Sequence, residues 1–166
     1  RRQLEISASM RRILVKWLIE LYEELLLPPE VLLNGVHHVD RFLSSEVVDK
    51  DALQLVGAVA LMVSSNNFCK LPMQDGEQAS SERGLTTAED IVYWTDGTYS
   101  IVQVLNMETK LLQGLDLGGF ASPLAYLGEF YAAVPLSDAT CSIAVELIIL
   151  STREYELLQL HARLLA

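Results

Sequence analysis

His37 and Asp40 stand three residues apart, a spacing that puts both side chains on one face of a helix. An imidazole and a carboxylate so placed could both face one metal ion. His38 is rotated from His37 by about 100° on a helix, and no third ligand stands at a matching spacing. Ordinary helix-surface residues explain the pair better, and no metal is expected. The acidic pairs Glu23–Glu24 and Glu89–Asp90 sit beside helical signals that already account for them. Cys69 and Cys141 are far apart in sequence and form no C-x-x-C, so they read as free thiols in a reducing compartment. The chain has no G-x-S-x-G, no P-loop and no Gly-rich dinucleotide turn. From these residues no catalytic group and no cofactor is expected.

The charge balance narrows what is bound. The formal net charge is −10, and the only basic clusters are Arg1–Arg2 and Arg11–Arg12. Phosphate-backbone binding needs clustered Lys and Arg, so nucleic acid is not an expected partner. The longest apolar run, Leu55 to Val63, is far too short to cross a bilayer, and no membrane partner is expected. No secretory signal is visible, and free thiols in a reducing compartment fit an expected nuclear or cytoplasmic setting. With 51% apolar residues over 166 positions, the chain can fill a real core, as one domain or one domain and part of another.

The elements that must position any site are helical nearly throughout. Met10, Ile13, Leu14, Trp17, Leu18, Leu21 and Leu25 follow the i, i+3, i+4, i+7 spacing of one helix face. Pro28 and Pro29 end that helix, and Pro29 opens a second one marked by Leu32, Val36, Val39 and Leu43. A third helix is predicted from about Asp49 to Asn66. Its centre is apolar on every side, so the other helices should wrap it, with Gly57, Ala58 and Ala60 allowing close approach. Residues 74–87 are polar and Gly-containing and read as an exposed loop. Thr86 with Glu89 predicts the capping box of a fourth helix ending near Trp94. Ser100 with Gln103 does the same for a fifth, ending near Gly118–Gly119. Ser122–Pro123 starts a sixth segment to about Val134, Ser137 or Asp138 caps a seventh to about Ser151, and an eighth begins near Tyr155.

Specific residues then narrow the fold. Met10-Arg11-Arg12-Ile13-Leu14-Val15-Lys16-Trp17-Leu18 resembles M-R-x-I-L-V-D-W-L, the opening helix of the cyclin box. Asp40-Arg41-Phe42-Leu43-Ser44 resembles D-R-F-L-S, and Leu53-Gln54-Leu55-Val56-Gly57 matches L-Q-L-V-G. Residues 90–100 resemble F-V-Y-I-T-D-x-x-Y-T, and Asn106-Met107-Glu108 stands where cyclins have R-M-E. The order and spacing are those of mitotic, A- or B-type cyclins over roughly residues 5–134. The resemblance implies an all-α fold: a five-helix N-terminal box over 1–119, carrying the 74–87 loop as an insertion. Residues 120–166 would be a linker helix and the start of a truncated second box. Ile143, Leu147, Ile148 and Leu150 would then need the first box or another chain to cover them.

The resemblance also implies sites. Glu108 takes the place of a Glu that binds a cyclin-dependent protein kinase. Asn66 stands where cyclins have a kinase-binding Lys, and Asn67-Phe68-Cys69 replaces F-E-E. Val63, Leu112 and Leu117 match apolar positions that pack on the kinase; each reads equally as core. Met10, Ile13, Leu14, Trp17, Glu20, Leu53 and Gln54 match a groove that docks R-x-L-type motifs of substrates and inhibitors; the same stripe also suits a plain core face. Lys16 stands where the family nearly always has Asp, which reverses a charge near the motif's Arg. Arg11 and Asp40 match a structural pair inside the box, and Leu55 a core position. ATP and Mg²⁺ would belong to the kinase. Three readings follow: an activating regulatory subunit that recruits substrates, a cyclin-fold scaffold that binds without activating, and a DNA-contacting cyclin fold, which the acidic charge opposes.

Overall fold

The structure is a computed structural model, and it describes residues 3, 5–69, 87–114, 122–134, 137–154 and 156–157. Among them the regular structure is helical: α1 Ala8–Glu24, α2 Pro29–Ser45, α3 Leu53–Cys69, α4 Ala88–Trp94, α5 Ile101–Gly114, α6 Pro123–Ala133 and α7 Asp138–Ser151. No helix among the described residues is long and apolar enough to cross a membrane. The 74–87 loop expectation (Thr87 apart), the far end of the fifth helix and most of the eighth lie outside the described residues.

Local signals set most boundaries. The Ser7 hydroxyl accepts the Met10 N–H at 3.2 Å and caps α1. The periodicity carries the helix to Leu25, but α1 stops at Glu24, because Leu26 adopts a left-handed φ of 50° and turns the chain toward Pro28. Pro29 opens α2 at its first positions, where a missing N–H costs nothing. Ser100 and Gln103 cap α5 reciprocally, at 2.9 and 3.3 Å. Ser122 caps α6 through the Leu124 N–H, and Ser137 rather than Asp138 caps α7 through the Thr140 N–H.

Two expected boundaries move. The third helix does not begin at Asp49: that residue is extended and leads a 3-10 turn, Lys50–Ala52, before α3 starts at Leu53 and runs on to Cys69. Nothing in Asn67-Phe68-Cys69 breaks a helix, so α3 passes Asn66. The capping box of α4 is Thr87 with Asp90, not Thr86 with Glu89. Thr87 donates its N–H to Asp90 Oδ2 at 2.9 Å and its hydroxyl accepts the Asp90 N–H at 3.2 Å. Both pairs read Thr-x-x-acid, and only the tertiary register chooses between them.

The core is built around α3, which packs against α1, α2, α4 and α5. Every residue from Leu55 to Ser65 is buried. Val15 and Leu18 from α1, Leu32 and Val39 from α2, Ile91 from α4 and Val104 and Leu111 from α5 close around it with no exposed surface. Burial of each such side chain stabilises by about 1.5–3 kcal/mol. The approach of α1 to α3 is set at Gly57, where a Cβ would lie 2.7 Å from Leu14 Cδ1. A smaller cluster of Leu33, Leu127 and Ile148 joins α2, α6 and α7. One face of α7 is thus buried through Ile148 and Ile149, while Ile143, Leu147 and Leu150 on the same helix stay exposed.

Candidate functional site

Arg11 positions the first candidate site from below. It projects from α1 and is 2% exposed. Its Nε and Nη2 donate to the two carboxylate oxygens of Asp40 on α2, at 2.6 and 2.7 Å, and its Nη1 donates to the Thr152 carbonyl at 2.9 Å. This three-way clamp ties α1, α2 and the end of α7 together.

Above the clamp, the outer face of α1 and the start of α3 enclose a groove of about 400 Å³. Met10, Ile13, Leu14 and Trp17 form one wall, and Lys50, Leu53 and Gln54 the other. Leu14 and Leu53, each 5% exposed, are floor and core at once, whereas Ile13 is 69% exposed. The stripe therefore divides between a core face and an open edge. Glu20 does not line the groove; its carboxylate is 3.4 Å from Lys16 Nζ one turn earlier on the exposed side of α1. Lys50 does line it, and helix periodicity missed it because it lies in the 3-10 turn ahead of α3.

A second candidate face runs along α5. Glu108 is half-buried, and Leu112 is exposed one turn beyond it. Ile101 and Leu105 share that face at the i, i+4, i+7, i+11 spacing and are also exposed. Sequence reasoning missed these two, although apolar residues on two sides of α5 were visible: Val104, Met107 and Leu111 bury the adjacent side, about 100° around the helix. Asn66, near the end of the neighbouring α3, is half-buried. Val63 is 3% exposed and belongs to the core, so its side chain presents almost no surface outward. Leu117 lies outside the described residues. A further hollow of about 460 Å³, between the end of α2 and α5 near Phe42 and Met107, had no sequence signal.

The remaining titratable groups are structural. His38 Nδ1 is 3.1 Å from the Ser64 hydroxyl on α3. Burial, and then the neighbouring His37, lower its pKa from 6.5 to about 4, so the ring is neutral near pH 7. Burial followed by the Arg41 charge lowers His37 as well. Among the described residues no group of three His, Cys, Asp or Glu side chains is placed to hold a metal. Cys141 is a free, half-buried thiol.

Comparison with known proteins places this geometry. The family model described as cyclin, N-terminal domain, matches residues 1–117. The chain is similar to cyclin-A2 of Xenopus laevis, 37% identical over 146 residues that are 87% of this chain and 32% of that protein. It is similar to cyclin-B2-1 of Oryza sativa subsp. japonica, 32% identical over 165 residues, 99% of this chain and 36% of the relative. The chain thus spans about a third of the length of these curated relatives. Among solved structures, a viral cyclin from herpesvirus saimiri superposes with a TM-score of 0.74 over 96% of this chain and 66% of that one, at 19% identity, a likeness of fold.

Proposed function

The chain belongs to the cyclin family, and we propose on that premise that it is the regulatory subunit of a cyclin-dependent protein kinase in cell division. It would hold the kinase's αC helix inward, completing the Lys–Glu pair that phosphoryl transfer requires. The kinase would bind ATP and Mg²⁺, and this chain would supply no catalytic group. The observation that supports the reading is the face of α5, where Ile101, Leu105 and Leu112 stay exposed around the half-buried Glu108 while the core behind them is full. An apolar stripe of that kind on a filled domain suits a protein partner. The groove on α1 would receive short Leu-bearing segments of substrates or inhibitors, the class to which the family's R-x-L motifs belong. The exposed Ile143, Leu147 and Leu150 support reading α6 and α7 as the beginning of a second box. The setting would be the nucleus or cytoplasm.

Asn66 favours a second reading. An uncharged amide stands where the family has a lysine, so one charge-assisted contact to the kinase is absent. A scaffold that binds without activating would show this. Mixing the protein with candidate cyclin-dependent kinases, and recording both binding and substrate phosphorylation, separates the two. Binding with stimulation supports the activator; binding without stimulation removes it in favour of the scaffold; no binding to any kinase overturns both.

A further inference from the structure

The groove on α1 and α3 is apolar except at its edges, and Lys50 is the charged residue that lines it. The acidic neighbours of Lys50 in sequence turn elsewhere. Asp49 lines the separate hollow near Phe42. Asp51 does not line the groove, and the Tyr99 hydroxyl donates to its backbone carbonyl at 2.8 Å. Glu5 comes near, but its carboxylate accepts the Lys50 backbone N–H at 3.3 Å and does not line the groove. Among the described residues no carboxylate is paired with the Lys50 ammonium. Beyond the other wall, Glu20 has a cation of its own, Lys16, at 3.4 Å. An arriving arginine would have to share Glu20 with Lys16 while facing Lys50. On a chain of net charge −10, the charged residue lining this groove is a lysine, and the glutamate beyond its wall already has a cation partner.

We propose that this groove docks a Leu-anchored peptide segment with an acidic residue flanking the anchor, and that Lys50 sets this preference against arginine while Lys16 occupies Glu20. The proposal rests on the groove being a docking site, as read above. The leucine would lie on Leu14 and Leu53 between Ile13 and Trp17, and the flanking carboxylate would meet the Lys50 ammonium. Both lysines are exposed, so they would tune preference more than total affinity.

The test is fluorescence anisotropy on the full chain with three labelled peptides that share the leucine anchor and carry Arg, Ala or Glu two residues before it. The Glu peptide should bind roughly threefold tighter than the Arg peptide, a gap sized for exposed pairs and narrowed by salt. Lys16→Asp should reverse the order and Lys50→Ala should shrink the gap. Ile13→Ala removes an exposed side chain, leaves the fold intact, and should weaken all three peptides. If the Arg peptide binds tightest and still depends on Ile13, the charge inference is overturned while docking stands. If no peptide shows Ile13-dependent binding, both are overturned.

Discussion

The guanidinium of Arg11 lies against the carboxylate of Asp40 through two parallel hydrogen bonds of 2.6 and 2.7 Å, with its third nitrogen on the Thr152 carbonyl at 2.9 Å. Arg11 is almost fully buried, so removing its partner strands a charge. Asp40→Ala should destabilise the fold by about 3–5 kcal/mol, and Arg11→Lys should destabilise it too with Asp40 in place, because an ammonium cannot make the planar fork. The double variant Arg11→Met/Asp40→Ala should lose less than the sum of the Arg11→Met and Asp40→Ala losses. Urea denaturation of these proteins checks this; additive losses would mean the clamp is not a unit.

Gly57 and Gly128 make opposite forecasts. An alanine at 57 would put its Cβ 2.7 Å from Leu14 Cδ1 and 3.2 Å from Leu14 Cγ, inside a filled core. Gly57→Ala should cost about 1–3 kcal/mol and disturb the groove floor that Leu14 provides. Around Gly128 a Cβ meets nothing within 4 Å, and the residue is inside α6. Gly128→Ala should stabilise by up to about 1 kcal/mol through helix propensity alone. Thermal melts with opposite signs are the expected result.

His38 predicts a direction with pH. Its folded pKa is lowered from 6.5 to about 4, chiefly by burial. Below pH 6.5 the unfolded chain takes up a proton that the folded chain refuses, so its contribution to stability falls from pH 6.5 down to about 4 and levels off below that. His37 is shifted in the same sense. Denaturation midpoints at pH 7 and pH 5 should differ, with less stability at pH 5. His38→Gln should reduce that difference; an unchanged slope would place its origin elsewhere.

The cap of α4 separates two adjacent acids. Asp90 closes the box with Thr87, while Glu89 is exposed and stands only in the helix's first turn. Asp90→Ala should cost about 1 kcal/mol, and Glu89→Ala a few tenths. Equal losses by chemical denaturation would return the cap to the neighbouring pair.

On α5, Leu105→Asp and Glu108→Ala should weaken kinase binding, if that face meets the kinase, without moving the melting temperature much. Val63→Ala should do the reverse: it should lower stability by on the order of 2 kcal/mol while leaving the binding face intact, because Val63 is core. Paired binding and melting measurements would expose any exchange of these roles.

By itself the sequence determined the family and most of the helices. Ser7, Pro29, Ser100 with Gln103, Ser122 and Ser137 are local signals that act on their own turn of chain, so spacing alone reveals them. The all-apolar centre of α3 likewise announced a wrapped helix. The tertiary structure decided what each face meets. Periodicity groups Ile13 with Leu14, yet one is 69% and the other 5% exposed, because α3 covers only one edge of the α1 stripe. It places Val63 in the core and leaves Ile101 and Leu105 outside. It brings Lys50 into the groove from a turn that no helical period includes, and pairs Glu20 with Lys16. A helix repeat fixes which side chains share a side; only packing against distant residues fixes whether that side is buried, paired or open.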